Sequence, residues 1–234
     1  MSVAGKAVVI TGGRRGIGQV CADRLVAEGA RVVVTSRSWR WDESAAAPGD
    51  GERVEMGLDV TKLDEVERLF VWIKERLGTI DVLVNNAGVG HFKPLVATTI
   101  EEWRAMIDTN LTGPFLCTRA AWELLAEGGG GRIVNIGSIA GEIPIGDNGA
   151  YAASKYGLRG LTAVTGVEGE ALGVRASLLS LGAVHTDIWD GREGFDASDM
   201  LPPEAVADAL LYLAGAEPAA RIEELKLWPP KGVL

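Results

Sequence analysis

The sequence predicts an α/β fold: one domain, residues 1–234, built on a doubly wound parallel sheet of about seven strands with helices on both faces. Short apolar, β-branched runs alternate with helix-length stretches along the whole chain. Runs that are apolar throughout are typical of strands buried on both faces of a parallel sheet. Right-handed crossovers between such strands place helices on both faces. No linker-like change in composition divides the chain.

The predicted elements alternate along the chain. We expect strands at residues 7–10, 31–35, 54–58, 80–84, 132–136, 174–180 and 222–227, and helices at 16–28, 62–76, 100–125, 151–172 and 203–214. The connection 38–50 is a weaker helix candidate, because Pro48, Gly49 and Gly51 interrupt its end. In open sheets of this kind, ligands bind beyond the carboxyl ends of the strands. A functional site is therefore expected among the residues that follow each strand.

The first strand leads into a glycine-rich loop, Thr-Gly-Gly-Arg-Arg-Gly-Ile-Gly at 11–18, and then into a helix. Gly12, Gly16 and Gly18 suit, in that order, a sharp turn, close approach to a pyrophosphate and tight packing of helix on strand. The helix offers free N–H groups and the positive end of its dipole to phosphates. A glycine-rich turn can be purely structural, but the strand before it and the helix after it favour nucleotide binding in a Rossmann fold.

The spacing Thr-Gly-x-x-x-Gly-x-Gly differs from the common dinucleotide fingerprint and resembles that of the classical short-chain dehydrogenase/reductase family. The Asn-Asn-Ala-Gly run at 85–88, after the fourth strand, matches a motif of that family. The resemblance implies that Asn85 and Gly88 line the nucleotide. Asp59, after the third strand, matches the family's adenine-contacting aspartate, although an Asp before a helix is also a common cap or turn residue.

The end of the second strand bears on the choice of nicotinamide cofactor. Ser36 stands where an NAD site usually carries an acid for the ribose 2′-hydroxyl, and Arg37 follows it. A carboxylate would repel a 2′-phosphate, whereas a serine with a neighbouring guanidinium accepts one. Arg14 and Arg15 add positive charge, and the resemblance marks Arg15 and Arg37 as a sign of NADP(H) use. Surface arginines can instead merely solvate loops, but their convergence on one phosphate-sized place favours NADP(H).

A tyrosine and a lysine open the helix predicted at 151–172. Tyr151 and Lys155 stand at i and i+4 and share one face of that helix. A free tyrosine titrates near pH ~10, and a nearby ammonium lowers that pKa because it favours the phenolate. Tyr151 can then donate a proton to a carbonyl oxygen as hydride arrives, or accept one in the reverse direction. The resemblance gives Lys155 a further role as a hydrogen-bond donor to the nicotinamide ribose.

Two further residues complete the catalytic group that the resemblance implies. Ser138 follows the fifth strand, where its hydroxyl can bind and orient the substrate carbonyl. Asn110 matches the family's asparagine that holds a water in a proton relay behind the lysine. An asparagine inside a helix otherwise usually points to solvent.

The segment after the sixth strand departs from the family's pattern. The family commonly has Pro-Gly-x-Val-x-Thr there, whereas this chain has Leu-Gly-Ala-Val-His-Thr at 181–186. Leucine gives up the fixed backbone angle of proline. The stretch 187–201 is predicted to cover the substrate, although Trp189 can equally serve only to pack that stretch onto the body. The predicted substrate pocket consists of Ser138, Ile143, Tyr151, Ile188 and Trp189.

The resemblance divides the domain into a cofactor half, roughly 1–137, and a catalytic and substrate half, roughly 138–234. The residues that it assigns to the cofactor come from both halves. They are Gly12, Arg14, Arg15, Gly16, Ile17, Gly18, Ser36, Arg37, Asp59, Val60, Asn86, Ala87, Gly88, Tyr151, Lys155, Gly182, Val184 and Thr186.

Composition and charge argue against several other classes of protein. A chain with a net charge of −9 repels nucleic-acid backbones. His91 and His185 are the only histidines and are not spaced as metal ligands, so no metal site is expected. Cys21 and Cys117 are predicted to be buried thiols within helices. The sequence shows no signal peptide and no membrane-spanning stretch, so we expect a cytoplasmic protein.

These features predict an NADP(H)-dependent oxidoreductase that reduces a small-molecule carbonyl or oxidises the matching alcohol. The resemblance also implies a homodimer or a homotetramer. Two alternatives stay open. A nucleotide-sugar epimerase or dehydratase also uses a Tyr-Lys pair, but generally has a larger C-terminal substrate domain and a different glycine spacing. A non-catalytic NADP(H) sensor would typically have lost Tyr151 or Lys155, and both are present.

Overall fold

A parallel β-sheet forms the centre of the computed structural model, which describes residues 2–187 and 196–233. Seven strands lie within those residues. They are β1 (Ala7–Ile10), β2 (Arg31–Ser36), β3 (Arg53–Gly57), β4 (Val82–Asn85), β5 (Arg132–Ile136), β6 (Arg175–Leu181) and β7 (Glu224–Leu227). Their order across the sheet is β3-β2-β1-β4-β5-β6-β7, and every neighbouring pair is parallel. The predicted doubly wound parallel sheet is confirmed.

The helices of the described residues cover both faces of this sheet. They are α1 (Gly16–Ala27), α2 (Leu63–Leu77), α3 (Ile100–Ile107), α4 (Gly113–Glu127), α5 (Gly149–Glu168) and α6 (Pro203–Ala214). Val8 and Ile10 of β1 pack in the layer formed by α1 and α6, while Val9 between them packs in the layer formed by α2 and α4. Because side chains alternate between the faces of a strand, a strand buried on both faces must be apolar at every position.

Both cysteines lie in these layers, as the sequence predicts. Cys21 belongs to α1 and Cys117 to α4, and both are free and buried. Burial raises the pKa of each thiol to about 12, since the interior does not solvate a thiolate. Within the part of the chain that the structure describes, no helix is both long and apolar enough to cross a bilayer.

Two connections differ from the prediction. The helix predicted at 100–125 is interrupted by a π-helical turn at Asp108–Thr112, and α4 then starts with a proline in its first turn. One residue too many for the α-helical repeat produces such a turn, and the hydrophobic period does not reveal it. The weak candidate at 38–50 is not a helix. Trp39 and Trp41 instead pack this loop against the two core layers, and the Arg68 guanidinium lies 4.3 Å from the centre of the Trp41 ring.

Candidate active site

A cleft of about 1700 Å³ lies at the carboxyl edge of the sheet. Its walls come from the segments that follow β1 to β6, as expected for a doubly wound sheet. Of the residues that the sequence assigns to the cofactor, all but Asn85 line this cleft. Ser138 also lines it, and so do residues that the sequence does not single out, among them Ser38, Thr61, Gly90, Ile145, Asp147 and Asn148.

The close packing of the glycine loop requires residues without side chains at Gly12 and Gly18. Gly12 has φ +70°, and a Cβ on it would lie 2.7 Å from the Ala87 Cα. A Cβ on Gly18 would lie 2.6 Å from the Gly12 carbonyl oxygen. Arg15, the N-cap of α1, makes no side-chain hydrogen bond to the first turn of the helix. The N–H groups of that turn are thus left for an anion in the cleft, so this loop fits a pyrophosphate.

The Asn-Asn-Ala-Gly segment supports the glycine loop from behind. The Asn86 side chain donates from Nδ2 to the carbonyls of Thr11 and Gly12, at 2.9 Å each. The backbone N–H groups of Asn86 and Ala87 both donate to the Thr11 hydroxyl, at 3.1 Å each. The loops after β1 and β4 are therefore fixed to each other.

The prediction that Asn85 lines the nucleotide is wrong. Asn85 is the last residue of β4, and its buried side chain points toward α4 instead of into the cleft. Its Nδ2 donates to Asn135 Oδ1 at 2.8 Å and to the Thr118 hydroxyl at 3.3 Å. Asn135 stands opposite Asn85 in the register of β4 and β5. Asn85 thus joins these strands to α4, and its neighbour Asn86 turns to the loop.

A polar corner forms where the loop after β2 meets the glycine loop. Arg14 Nη1 donates to the Ser38 hydroxyl at 2.6 Å, and the Ser36 and Ser38 hydroxyl oxygens are 3.0 Å apart. Arg37 is exposed at the same edge of the cleft. Ser38 is not among the predicted residues, although the Ser-Arg-Ser run at the end of the strand is a usable signal for it. Arg15 lies apart from this group, because its Nη1 pairs with Asp187 Oδ2 at 3.3 Å.

The predicted catalytic side chains Ser138, Tyr151 and Lys155 meet at the bottom of the cleft. The Ser138 hydroxyl hydrogen-bonds to Tyr151, and the Phe92 ring packs edge-on against the Tyr151 ring at 5.1 Å between centres. Lys155 is buried, donates from Nζ to the Ile136 carbonyl at 2.8 Å, and lies 5.6 Å from the centre of the Tyr151 ring.

The pKa values of this group differ from the simple expectation. Burial raises the pKa of Tyr151, and the hydrogen bond from Ser138 offsets that rise only in part. Burial lowers the pKa of Lys155 to about 8, because no carboxylate of the described residues compensates for its desolvation. The expectation that the neighbouring ammonium lowers the Tyr151 pKa is therefore wrong for the side chains of this site. They keep its proton in place at neutral pH.

Asn110 lies in the π-helical turn, buried instead of pointing to solvent. Its Oδ1 accepts from the Val89 N–H, and its Nδ2 donates to the Val89 carbonyl, at 2.9 Å each. Nδ2 also donates to the Ser154 hydroxyl at 3.1 Å, and that hydroxyl donates to the Tyr151 carbonyl at 2.7 Å. Asn110 is not a wall of the cleft; it ties the segment after β4 to the first turn of α5.

The substrate end of the cleft is only partly as predicted. Ile143 does not line it, because a 3₁₀ turn at Ile139–Gly141 redirects the chain and brings Ile145 there instead. Ile188 and Trp189 lie outside the described residues. His91 is exposed at the mouth of the cleft.

The segment that carries leucine in place of proline is held by other contacts. Val184 forms a parallel bridge with Leu201, and the His185 N–H donates to the Leu201 carbonyl at 2.9 Å. A Cβ on Gly182 would lie 2.3 Å from Pro229 Cδ, so the C-terminal segment packs directly on this glycine. Residue 181 therefore does not need the fixed angle of proline to direct the backbone toward the cleft.

The chain has many relatives of known name. The family model described as short chain dehydrogenase matches residues 6–194. A 3-oxoacyl-[acyl-carrier-protein] reductase of Synechocystis is 34% identical, over 94% of this chain and 92% of that protein. A D-threitol dehydrogenase of Mycolicibacterium smegmatis is 32% identical, over 90% and 86% of the two chains. Carbonyl reductase family member 4 of Danio rerio is 35% identical, over 88% and 89%.

Solved structures of similar fold agree. A metagenomic short-chain oxidoreductase in complex with NADP is 33% identical with a TM-score of 0.81, covering 98% of this chain and 99% of that one. An alcohol dehydrogenase of the archaeon Thermococcus sibiricus, complexed with 5-hydroxy-NADP, is 30% identical with a TM-score of 0.83, covering 95% of each chain.

Gly12→Ala is expected to destabilise the protein by about 1–3 kcal/mol, because it adds a Cβ at a positive φ and against the Ala87 backbone. Gly166→Ala is the control. A Cβ there makes only ordinary contacts with Ala176, at 3.8 Å or more, and replacing a glycine within α5 should stabilise by about 0.5–1 kcal/mol. Urea unfolding of the two variants measures both effects. Equal stability of Gly12→Ala and the wild type would contradict the tight contact.

Proposed function

The chain belongs to the short-chain dehydrogenase family, and on that premise we propose that it is an NADP(H)-dependent oxidoreductase that interconverts a carbonyl and a secondary alcohol, working as a carbonyl reductase. The observation that carries the proposal is the group formed by Ser138, Tyr151 and Lys155 at the bottom of the cleft. The polar corner of Arg14, Ser36 and Ser38 at the other end supports the choice of NADP(H).

The cleft suits NADP(H) along its length. The glycine loop and the first turn of α1 would hold the pyrophosphate, and Arg14 with Arg37 and the two serines would hold the 2′-phosphate. Asp59 lines the cleft and would face the adenine, with one of its carboxylate oxygens already bound by the Thr61 N–H and hydroxyl. When bound, the nicotinamide supplies the hydride in reduction and accepts it in oxidation.

Tyr151 is the proposed general acid in the direction of reduction. Its raised pKa keeps the phenol protonated at neutral pH, so it can donate a proton to the carbonyl oxygen as that oxygen gains negative charge. In alcohol oxidation the same tyrosine would accept the proton in its phenolate form.

Ser138 and Lys155 support this proton transfer. The Ser138 hydroxyl, which hydrogen-bonds to Tyr151, is placed to bind the same carbonyl oxygen and orient it. The Lys155 ammonium, 5.6 Å from the centre of the Tyr151 ring, would stabilise the negative charge that develops as the phenol loses its proton. We propose Asn110 as a positioning residue that acts through Ser154, and its water-holding role stays a prediction.

We also propose that the protein forms a homodimer or a homotetramer. Phe115 on α4 and Val164 and Val167 on α5 are exposed apolar side chains on helices that cover the sheet. Apolar side chains at such positions are suited to burial against a second copy.

The test of the proposed function is NADPH oxidation with a panel of ketones and aldehydes, by the wild type and by Tyr151→Phe. The variant should bind NADPH as the wild type does and lose about 100-fold or more in kcat, because the proton donor is removed. NADPH binding by the wild type without reduction of any carbonyl would contradict the proposal and favour the sensor alternative.

Arg14→Ala and Arg37→Ala are each expected to weaken NADPH binding by about 10-fold and to leave NADH binding unchanged, because they remove charge-assisted contacts to the 2′-phosphate. Arg15→Ala is the matched control from the same loop. Since Arg15 pairs with Asp187, its loss should weaken NADPH binding less. Fluorescence titration measures the Kd values, and a larger effect at Arg15 than at Arg14 would contradict this assignment.

The rate of reduction should depend on pH through Lys155. Below a pKa of about 8 the ammonium is present, and as the pH rises through that value it is lost. We therefore expect kcat/KM for a carbonyl to be level at lower pH and to fall above about pH 8. In Lys155→Arg, whose guanidinium does not deprotonate in this range, the residual activity should not fall there. An unchanged fall in that variant would assign the titration to another group.

A further inference from the structure

We propose that Arg159 is a positioning residue for the reaction: it holds the turn that carries Ser138 against the helix that carries Tyr151 and Lys155. This inference rests on the proposed function. It assigns a role to a residue outside the cleft, on the side of α5 that faces β7.

The Arg159 side chain connects three segments of the chain. Its Nε donates to the Gly141 carbonyl at 3.0 Å, and its Nη2 donates to the Glu142 carboxylate at 3.1 Å. Its Nη1 and Nη2 also donate to the two carboxylate oxygens of Glu224 in β7, at 2.8 and 2.7 Å. Only a planar guanidinium has enough fixed N–H donors for all of these bonds.

The turn to which Arg159 hydrogen-bonds is short and follows directly after Ser138. Ser138 is the N-cap of the 3₁₀ turn Ile139–Gly141, and its hydroxyl accepts from the Ala140 N–H at 3.1 Å. The far end of the turn packs on the catalytic helix, because a Cβ on Gly141 would lie 2.8 Å from the Lys155 backbone. A shift at Gly141 would therefore be passed on to the Ser138 hydroxyl.

Neighbouring groups fix the same end of the turn. The Tyr156 hydroxyl donates to the Glu142 carbonyl, and Lys226 of β7 donates to the Glu142 carboxylate. Arg159 and Lys226 thus each form ion pairs with both Glu142 and Glu224. The bond to Lys226 holds the pKa of Glu142 below its usual range, and Glu224 raises the pKa of Arg159. Glu142 and Arg159 are therefore both charged at neutral pH.

A purely stabilising role is the competing explanation, and the chain offers a matched control for it. Arg53 also pairs with two carboxylates, Asp23 and Glu55, and its side chain is 34% exposed, against 29% for Arg159. It belongs to β3, at the opposite edge of the sheet from β7. Exposed ion pairs of this kind generally contribute little to stability. Only Arg159 of the two bonds to the turn after Ser138.

The first test is carbonyl reduction by Arg159→Met and Arg53→Met. Methionine keeps the apolar stem and removes the guanidinium. We expect Arg159→Met to lower kcat about 10-fold, since small displacements of a catalytic group cost one to two orders of magnitude, with the Kd for NADPH within about twofold. Arg53→Met should keep kcat. A normal kcat in folded Arg159→Met, or an equal loss in Arg53→Met, would overturn the proposal.

A second test uses the Ser138→Ala background. If Arg159 acts through the Ser138 hydroxyl, Arg159→Met should cost no more than about twofold in kcat once that hydroxyl is gone, because residues acting as one unit are not additive. A repeated 10-fold loss would show that Arg159 acts by another route and would contradict the inference.

A third measurement needs no substrate and so separates this inference from the proposed function. The Ser138 hydrogen bond opposes the rise in the Tyr151 pKa, so loss of its position should raise that pKa further. The Tyr151 pKa is measured by phenolate absorbance as the pH is raised, after subtraction of the same titration of Tyr151→Phe. We expect Arg159→Met and Ser138→Ala to raise this pKa by similar amounts and Arg53→Met to leave it unchanged. If Arg159→Met does not fold, Glu224→Gln, which weakens the grip on the guanidinium, should shift it in the same direction. No shift in the folded variant would overturn the proposal.

Discussion

The contact between Gly12 and the backbone of Ala87 is the constraint on which the cleft depends. β1 and β4 are neighbours in the sheet, yet the chain leaves them toward opposite sides, and their loops must diverge to open a crevice. The bonds from Asn86 to the Thr11 and Gly12 carbonyls keep the two loops together at their base. The residues at the base of the crevice are thus held in place, and the first turn of α1 faces the crevice without a side-chain cap.

The catalytic end depends on burial more than on ion pairing. Lys155 has a main-chain carbonyl as its partner, and desolvation lowers its pKa to about 8. Desolvation acts in the opposite sense on Tyr151 and raises the pKa of the phenol. The two shifts share one cause, because low polarity disfavours the charged form of either group. Tyr151 keeps its proton at neutral pH, and Lys155 beside it has an ammonium of lowered pKa. Such a tyrosine is suited to donate its proton only when a carbonyl oxygen becomes basic.

Much of this architecture could be predicted from local patterns. The bounds of β1, β5 and α6 are those expected, and the glycine spacing located the cleft. What the patterns could not give is the direction of a side chain at the end of a strand: Asn85 and Asn86 are adjacent, but only the second reaches the loop. The π-helical turn at Asp108–Thr112 and the bond between Arg14 and Ser38 also escaped prediction. The first is one extra residue in an unbroken helical period, and the second joins segments distant in sequence.

The most direct test of the central claim is the fate of a label carried by the cofactor. NADPH with deuterium at C4 of the nicotinamide, on the face that is transferred, is incubated with the enzyme and a ketone that it consumes. We expect an alcohol with deuterium on the carbinol carbon, and in Tyr151→Phe the same product formed far more slowly. An alcohol without deuterium, from either face of labelled NADPH, would contradict hydride transfer in this cleft.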